Sequence, residues 1–257
     1  MASDSSATKA KLAVLIDADN AQSSLIGPLL AEVARYGTVC VKRAYGDWTG
    51  TSLKGWKEEL LKQAIQPIQQ FSYTHGKNAT DSAMIIEAMD LLYSNRFGGF
   101  CLVSSDSDFT RLAVRIRESG LVVYGFGVRR TPQPFVTSCN KFIYVENLVP
   151  NEARTPRTGE VVVAQKQDST TQVSKDTRLA AQLQAAVEAA SNDDRWAELG
   201  KVRQLLTHRH PDFDSRNYGC SKFSDLITAT SLFDIHREGK GGPIYIHAKD
   251  QEHATVK

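Results

Sequence analysis

The sequence predicts an α/β protein followed by a small winged-helix module, and three observations carry that prediction. From Leu12 to about Val149, short apolar runs alternate with segments of helical periodicity, the pattern of repeated βα units around a largely parallel sheet flanked by helices. Residues 150–175 then turn to Asn, Thr, Gln, Ser, Lys and Arg, with one Val-Val-Val-Ala island and no aromatic residue, as a solvated linker does. Beyond it, residues 176–249 order themselves as three short helices and a Gly-rich hairpin, the succession found in a winged helix.

Taken in order, strands are expected at residues 12–16, 38–44, 65–71, 100–103, 121–126 and 142–145, where the short apolar runs stand. Helices are expected at 23–36, 53–63, 81–93 and 108–119, where apolar residues recur at three and four. The first domain accordingly spans 10–149, a flexible linker 150–175, and the second domain 176–249. Within the second domain, helices are expected at 179–190, 199–206 and 221–228. Strands at 232–237 and 244–247 follow, joined through Glu238-Gly239-Lys240-Gly241-Gly242-Pro243.

A chain of 257 residues with 41% hydrophobic and 23% charged content can bury a proper core, which excludes a wholly disordered polypeptide. No stretch approaches the ~20 apolar residues of a membrane span, and Asp17 interrupts the first apolar run too early for a secretory signal. A cytoplasmic protein with no membrane partner is expected. Cys40, Cys101, Cys139 and Cys220 lie far apart with no C-x-x-C pair, which points to buried thiols in a reducing compartment and away from zinc knuckles and disulfides. His208 and His210, two apart before Pro211, lack a third ligand at metal-binding spacing. With a net charge of +2, affinity for a polyanion has to come from local clusters of Lys and Arg.

The acids are the informative residues. The first strand ends in Leu15-Ile16-Asp17-Ala18-Asp19-Asn20, and the fourth ends in Val103-Ser104-Ser105-Asp106-Ser107-Asp108. Ligands of open α/β sheets sit at the carboxyl ends of their strands. Lys77-Asn78-Ala79-Thr80-Asp81 adds an acid where a helix begins after a polar loop. Taken singly, Asp81 and Asp108 are equally at home as first-turn residues favoured by the helix dipole, and Asp19 or Asn20 as caps. Convergence is what favours chemistry, because the strand ends of a parallel sheet share one edge and bring Asp17, Asp106 and Asp108 together, with Asp81 nearby. Two carboxylates ~4 Å apart repel by about 4 kcal/mol at an effective dielectric near 20, so a cation is required. With oxygen donors only, Mg²⁺ or Mn²⁺ fits better than zinc, and a metal so held suits phosphodiester hydrolysis.

The three motifs Leu15-Ile16-Asp17-Ala18-Asp19-Asn20, Lys77-Asn78-Ala79-Thr80-Asp81 and Val103-Ser104-Ser105-Asp106-Ser107-Asp108-Phe109 together resemble the NYN domain family, in particular its bacterial LabA-like branch, over roughly residues 10–148. The resemblance implies a PIN-like, Rossmann-like nuclease fold and metal-dependent RNA cleavage. It makes Asp17, Asp81, Asp106 and Asp108 the metal-binding and catalytic acids and Asn20 a site-shaping or substrate-contacting residue. The second region, with Leu199-Gly200-Lys201-Val202 and Tyr218-Gly219-Cys220-Ser221-Lys222-Phe223-Ser224-Asp225-Leu226-Ile227, resembles the OST-HTH domain, also called LOTUS, whose members bind RNA or proteins.

Substrate contacts are expected from cations placed around the acids, since phosphate contacts supply most nonspecific affinity. Arg129 and Arg130 follow the fifth strand at the same edge, with Lys77, Lys42 and Arg43 as further candidates and Lys222, Arg216 and Lys240 in the second domain. Arg111, Arg115 and Arg117 read as a solvated helix face. Tyr45 and Trp48 are either stacking platforms for bases or a packed loop. The expected function is an endoribonuclease using Mg²⁺ or Mn²⁺ on single-stranded or structured RNA, with a protein partner for the second domain as a further expectation. Two alternatives stand beside it: a non-catalytic RNA-binding adaptor, and a haloacid-dehalogenase-like phosphatase using Asp17 as nucleophile. The sequence leaves the oligomeric state undefined.

Overall fold

A computed structural model describes residues 9–71, 79–149, 176–239 and 241–249. The chain forms two compact units that part between Thr155 and Pro156. The expected linker at 150–175 lies outside the described residues, as do Lys77 and Lys240. Among the described residues, no helix is long and apolar enough to cross a membrane.

The first unit is an α/β domain whose six strands are β1 (Lys11–Asp17), β2 (Thr38–Gly46), β3 (Gln66–Gln69), β4 (Gly99–Val103), β5 (Val122–Gly127) and β6 (Lys141–Tyr144). They lie in the order β3-β2-β1-β4-β5-β6. Every pairing in this sheet is parallel, so the sheet is wholly parallel where a largely parallel one was expected. Helices α1 (Ile26–Val33), α2 (Trp56–Lys62), α3 (Ala79–Tyr93), α4 (Thr110–Glu118) and α5 (Gln133–Ser138) make the crossovers. The last was not expected: six residues with Pro134 near the start are too few to display a 3.6-residue period. The third strand is likewise shorter than its expected span.

Alternation along β1 builds two cores. Leu12, Val14 and Ile16 join Ile26 and Leu29 of α1 and Trp56 of α2 on one face. Ala13 and Leu15 join Met84 and Ala88 of α3 and Leu112 and Ile116 of α4 on the other. In β2 the pairing with β1 slips, Leu12 opposing Val39 but Ala13 opposing Val41. The skipped residue is Cys40, the extra residue of a β-bulge, and a bulge swaps the faces beyond it. Val39 therefore belongs to the first core and Val41 and Tyr45 to the second. This corrects the expectation of four buried thiols: Cys40 is exposed and Cys220 half-buried, while Cys101 and Cys139 are buried. Burial pushes both of those thiols up, Cys139 to about 12.

The second unit contains α6 (Thr177–Ala190), β7 (Ala197–Glu198), α7 (Leu199–Arg209), α8 (Phe223–Thr230), β8 (Phe233–Arg237) and β9 (Ile244–Ala248). Asp176 caps α6 by accepting from Leu179 N at 3.0 Å. Leu183, Val202, Leu226, Ile227 and Ile246 meet in its core. The expected hairpin is present, and the two residues of β7 add a third strand to it in the order β7-β9-β8.

Candidate active site

Chain order reverses between β1 and β4, the two central strands: β2 and β3 step outward to one edge, β5 and β6 to the other. A parallel sheet opens a crevice at the carboxyl ends of such a switch point. Asp17 ends β1 and Ser104 follows β4 at this crevice. Asp17 is two residues beyond Leu15 and so inherits the face covered by α3 and α4. The same phase carries Phe100 and Leu102 on to Ser104.

These two residues meet directly. Ser104 Oγ donates to Asp17 Oδ2 at 2.8 Å and accepts from the Asp106 backbone N–H at 3.1 Å. Asn20 donates from Nδ2 to the same Oδ2 at 2.7 Å and from its backbone N–H to Oδ1 at 3.3 Å. Asp17 is 0% exposed. Burial pushes its carboxyl above the ordinary carboxylate range, against the pull of the Asn20 and Ser104 hydrogen bonds.

The other three acids arrive from helix starts. Asp81 lies in the first turn of α3 and is 9% exposed. Asp106 caps the 3₁₀ turn Ser107–Phe109 that leads into α4, accepting from Asp108 N at 2.9 Å. The cap is thus Asp106, and Asp108 lies within the turn it caps. One carboxylate oxygen from each of Asp81, Asp106 and Asp108 lies within 4.8 Å of the others. Asp17 stands outside that trio, but after burial it is the largest influence on Asp81, whose carboxyl is pushed up to about 6, with Asp106, Asp108 and Asp19 adding to the effect. A first-turn position favours a carboxylate, so burial and neighbouring charge outweigh the helix dipole here. At a separation of 4.8 Å and an effective dielectric near 20, two unit charges repel by about 3 kcal/mol. Water screens the exposed Asp108 and reduces its share. A divalent cation relieves that repulsion, and an all-oxygen donor set suits a hard ion.

Two participants were absent from the sequence expectations as site residues. Ser104 is signalled by a polar residue emerging from a fully buried strand in phase with Asp17. Asp19, which accepts from Thr80 Oγ1 at 3.1 Å, ties the β1 loop to the start of α3.

The remaining candidates divide. Asn20 is at the site and shapes it through Asp17. Arg130 is exposed at the same edge beside Asn20 and Ser105. Arg129 is exposed too, but its Nη2 donates to Asn147 Oδ1 at 3.1 Å and its guanidinium lies 5.5 Å over the Tyr144 ring. Lys42 donates to the Gln63 carbonyl. Arg43 pairs with Glu87 of α3 at 3.0 Å, and Tyr45 Oη donates to the same carboxylate at 2.5 Å. Tyr45 is wholly buried and presents no face to a base. Trp48 donates from Nε1 to Ile68 O at 2.9 Å and packs edge-on against Trp56, so this stretch is a packed loop. Arg111, Arg115 and Arg117 are exposed on α4. In the second unit Lys222 is exposed at the start of α8. Arg216, by contrast, is engaged by Asp214, its Nη2 at 2.6 Å and Nε at 3.0 Å from the carboxylate. A phosphoryl-accepting nucleophile needs access, and the burial of Asp17 withholds it, which removes the physical basis of the phosphatase alternative.

A wholly parallel domain with carboxylates gathered at its switch point, joined to a small three-helix unit with a wing, defines the class. The model of the NYN domain matches residues 11–146, and the model of the OST-HTH/LOTUS domain matches residues 174–245. The chain belongs to the NYN domain family and carries an OST-HTH/LOTUS domain after it. Membership gives the first unit a PIN-like nuclease fold and makes the second an RNA-binding class of module. Two solved structures of proteins without assigned function are similar. One, from Vibrio parahaemolyticus, is 20% identical, covering 55% of this chain and 94% of its own, with a TM-score of 0.45. The other, a solution structure from Nitrosomonas europaea, is 32% identical, covering 42% of this chain and 100% of its own, with a TM-score of 0.30. No curated protein matches the chain.

Proposed function

We propose that the protein is a metal-dependent endoribonuclease that cuts RNA at the β1/β4 crevice and holds its substrate in part through the second domain. The observation that carries this reading is the approach of Asp81, Asp106 and Asp108 to within 4.8 Å at a switch point. In this reading those three side chains hold Mg²⁺ or Mn²⁺, which when bound supplies positive charge to polarise a phosphoryl oxygen and favours deprotonation of the attacking water. Asp17 adds negative charge felt at Asp81 and, through Ser104, fixes the backbone that presents Asp106. Asn20 holds Asp17 in one rotamer. Arg130 binds a phosphate of the RNA without filling the acid cluster, and Lys222 adds a phosphate contact from the second domain. The domain boundaries that go with this reading are 10–149 and 176–249, with 150–175 linking them.

The test incubates a labelled RNA pool with the full chain and Mn²⁺ or Mg²⁺, beside a chelated control and Asp106→Asn. Cleavage that requires the metal and is lost in the variant supports the proposal. Activity that survives chelation or the substitution refutes it. RNA binding with no cleavage under any metal assigns the protein to the adaptor class instead.

A further inference from the structure

A second recess lies against the acid site, and apart from Asn20, Ser104 and Arg130 on its edge the proposed cleavage does not use it. It is a cleft of about 110 Å³ between the start of α1 and the carboxyl ends of β4 and β5. Its floor is apolar, made by Leu25, Ile26, Leu29, Phe126 and Val145. Ile26, Leu29 and Phe126 are packed beneath it out of solvent, and the accessible apolar surface comes from Leu25, Ala21 and Val128. Its rim is polar: Asn20, Gln22, Ser105 and Arg130.

This wall is shared with the acid site. Asn20 and Ser104 line the cleft and also hydrogen-bond Asp17. Asn20 spends its Nδ2 on Asp17, which leaves its carbonyl oxygen as an acceptor, and among the described residues nothing bonds it. Ser105 Oγ accepts from Val128 N at 3.0 Å, so its own proton is available to donate. Arg130 makes no hydrogen bond or ion pair among the described residues. A cleft with one apolar wall and an edge of donors and acceptors, with the Arg130 cation beside it, has the chemistry of a base site with a phosphate attached.

We infer that this cleft is a nucleobase subsite that takes one unstacked pyrimidine of the RNA next to the scissile phosphate, with Gln22, Ser105 and the Asn20 carbonyl on the base edge and Arg130 on the adjoining phosphate. Volume decides the ring size. An enclosed cavity of ~150 Å³ accommodates a single six-membered ring, so a cleft of about 110 Å³ seats one ring, and a bicyclic purine overfills it. The position of the site beside the cut rests on the nuclease reading; the base site itself does not.

The experiment titrates uridine 5′-monophosphate, adenosine 5′-monophosphate and uridine into the full chain in chelator, where no metal chemistry runs, and reads methyl resonances of Leu25, Leu29 and Val128 by NMR. Uridine monophosphate is expected to bind at least ~5-fold tighter than adenosine monophosphate and to move those methyls. Arg130→Ala should weaken the monophosphate ~10-fold, the scale of a lost hydrogen bond to a charged group, and leave uridine unchanged. Ala21→Leu, which grows a side chain into the cleft, should erase the difference between the two nucleotides. Gln22→Ala, an exposed rim change that spares the core, is a second variant and should weaken uridine itself. Equal affinity for both nucleotides, no binding of either, or uridine binding indifferent to both Ala21→Leu and Gln22→Ala overturns the inference. With Mn²⁺ and a mixed RNA, mapped cuts should adjoin pyrimidines. If no cutting occurs while the chelated titrations behave as expected, the nuclease reading fails and the base site stands.

Discussion

Asp81→Asn should stabilise the metal-free protein and at the same time abolish its stabilisation by metal. In the metal-free fold, Asp81 keeps its proton up to about pH 6, against 3.8 ordinarily. The folded state therefore binds one more proton than the unfolded chain between those values, and stability falls as pH rises through that window. Above it the penalty is complete, and the gap corresponds to roughly 3 kcal/mol. Asn carries no charge and escapes it. By the same linkage the gain from Asp81→Asn shrinks to about 1 kcal/mol at pH 4.5. At ~3 °C per kcal/mol for a domain of this size, the variant should melt ~5–10 °C above wild type at pH 7.5 in chelator. Adding Mn²⁺ at a hundred times its dissociation constant should raise wild type by about 2.7 kcal/mol and leave the variant unmoved. Calorimetry at the two pH values, with chelator and with Mn²⁺, reads all four quantities. A variant that melts below wild type in chelator at pH 7.5, or a difference that does not shrink at pH 4.5, would refute the account of Asp81 as a carboxylate crowded by its neighbours.

Three further outcomes follow from the same geometry. Ser104→Ala removes the donor to Asp17 Oδ2 and the acceptor for Asp106 N; it should cost about 1–3 kcal/mol in urea unfolding and slow cleavage, and an unchanged midpoint would mean that water replaces the hydroxyl. Trp48→Ala should cost about 2 kcal/mol by loss of packing against Trp56 while RNA affinity stays constant, since its indole is engaged inside the loop; a loss of affinity without a loss of stability would restore the stacking role. Lys222→Ala should reduce the salt dependence of RNA binding by about one phosphate contact, whereas Arg216→Ala should leave it unchanged because Asp214 already holds that guanidinium. The reverse ranking would place the RNA on the Arg216 side.

How much of this was legible beforehand depends on the range of the interaction concerned. The strands β1 and β4, buried throughout their apolar residues, declare themselves as unbroken apolar runs, and the acids that end them are visible because a carboxylate directly after such a run is costly without a purpose. Apolar recurrence at three and four likewise marks α3 and α4, and therefore the entry points of Asp81 and Asp108. These features are local, and the physics that produces them acts over a few residues, so the amino-acid order is enough to determine them. What only the tertiary structure decided depends on pairing and packing between distant segments. The bulge at Cys40 sets which residues of β2 face α3, and so commits Arg43 and Tyr45 to Glu87 and away from any substrate. The convergence of Asp81 with Asp106 and Asp108 requires the crossover from β3 to β4 to bring the start of α3 to the switch point. Asp17 turns inward to Ser104, 87 residues away, because the parallel register of β1 and β4 puts those two positions on one face. Such contacts have no periodicity along the chain, and only the closed sheet creates them.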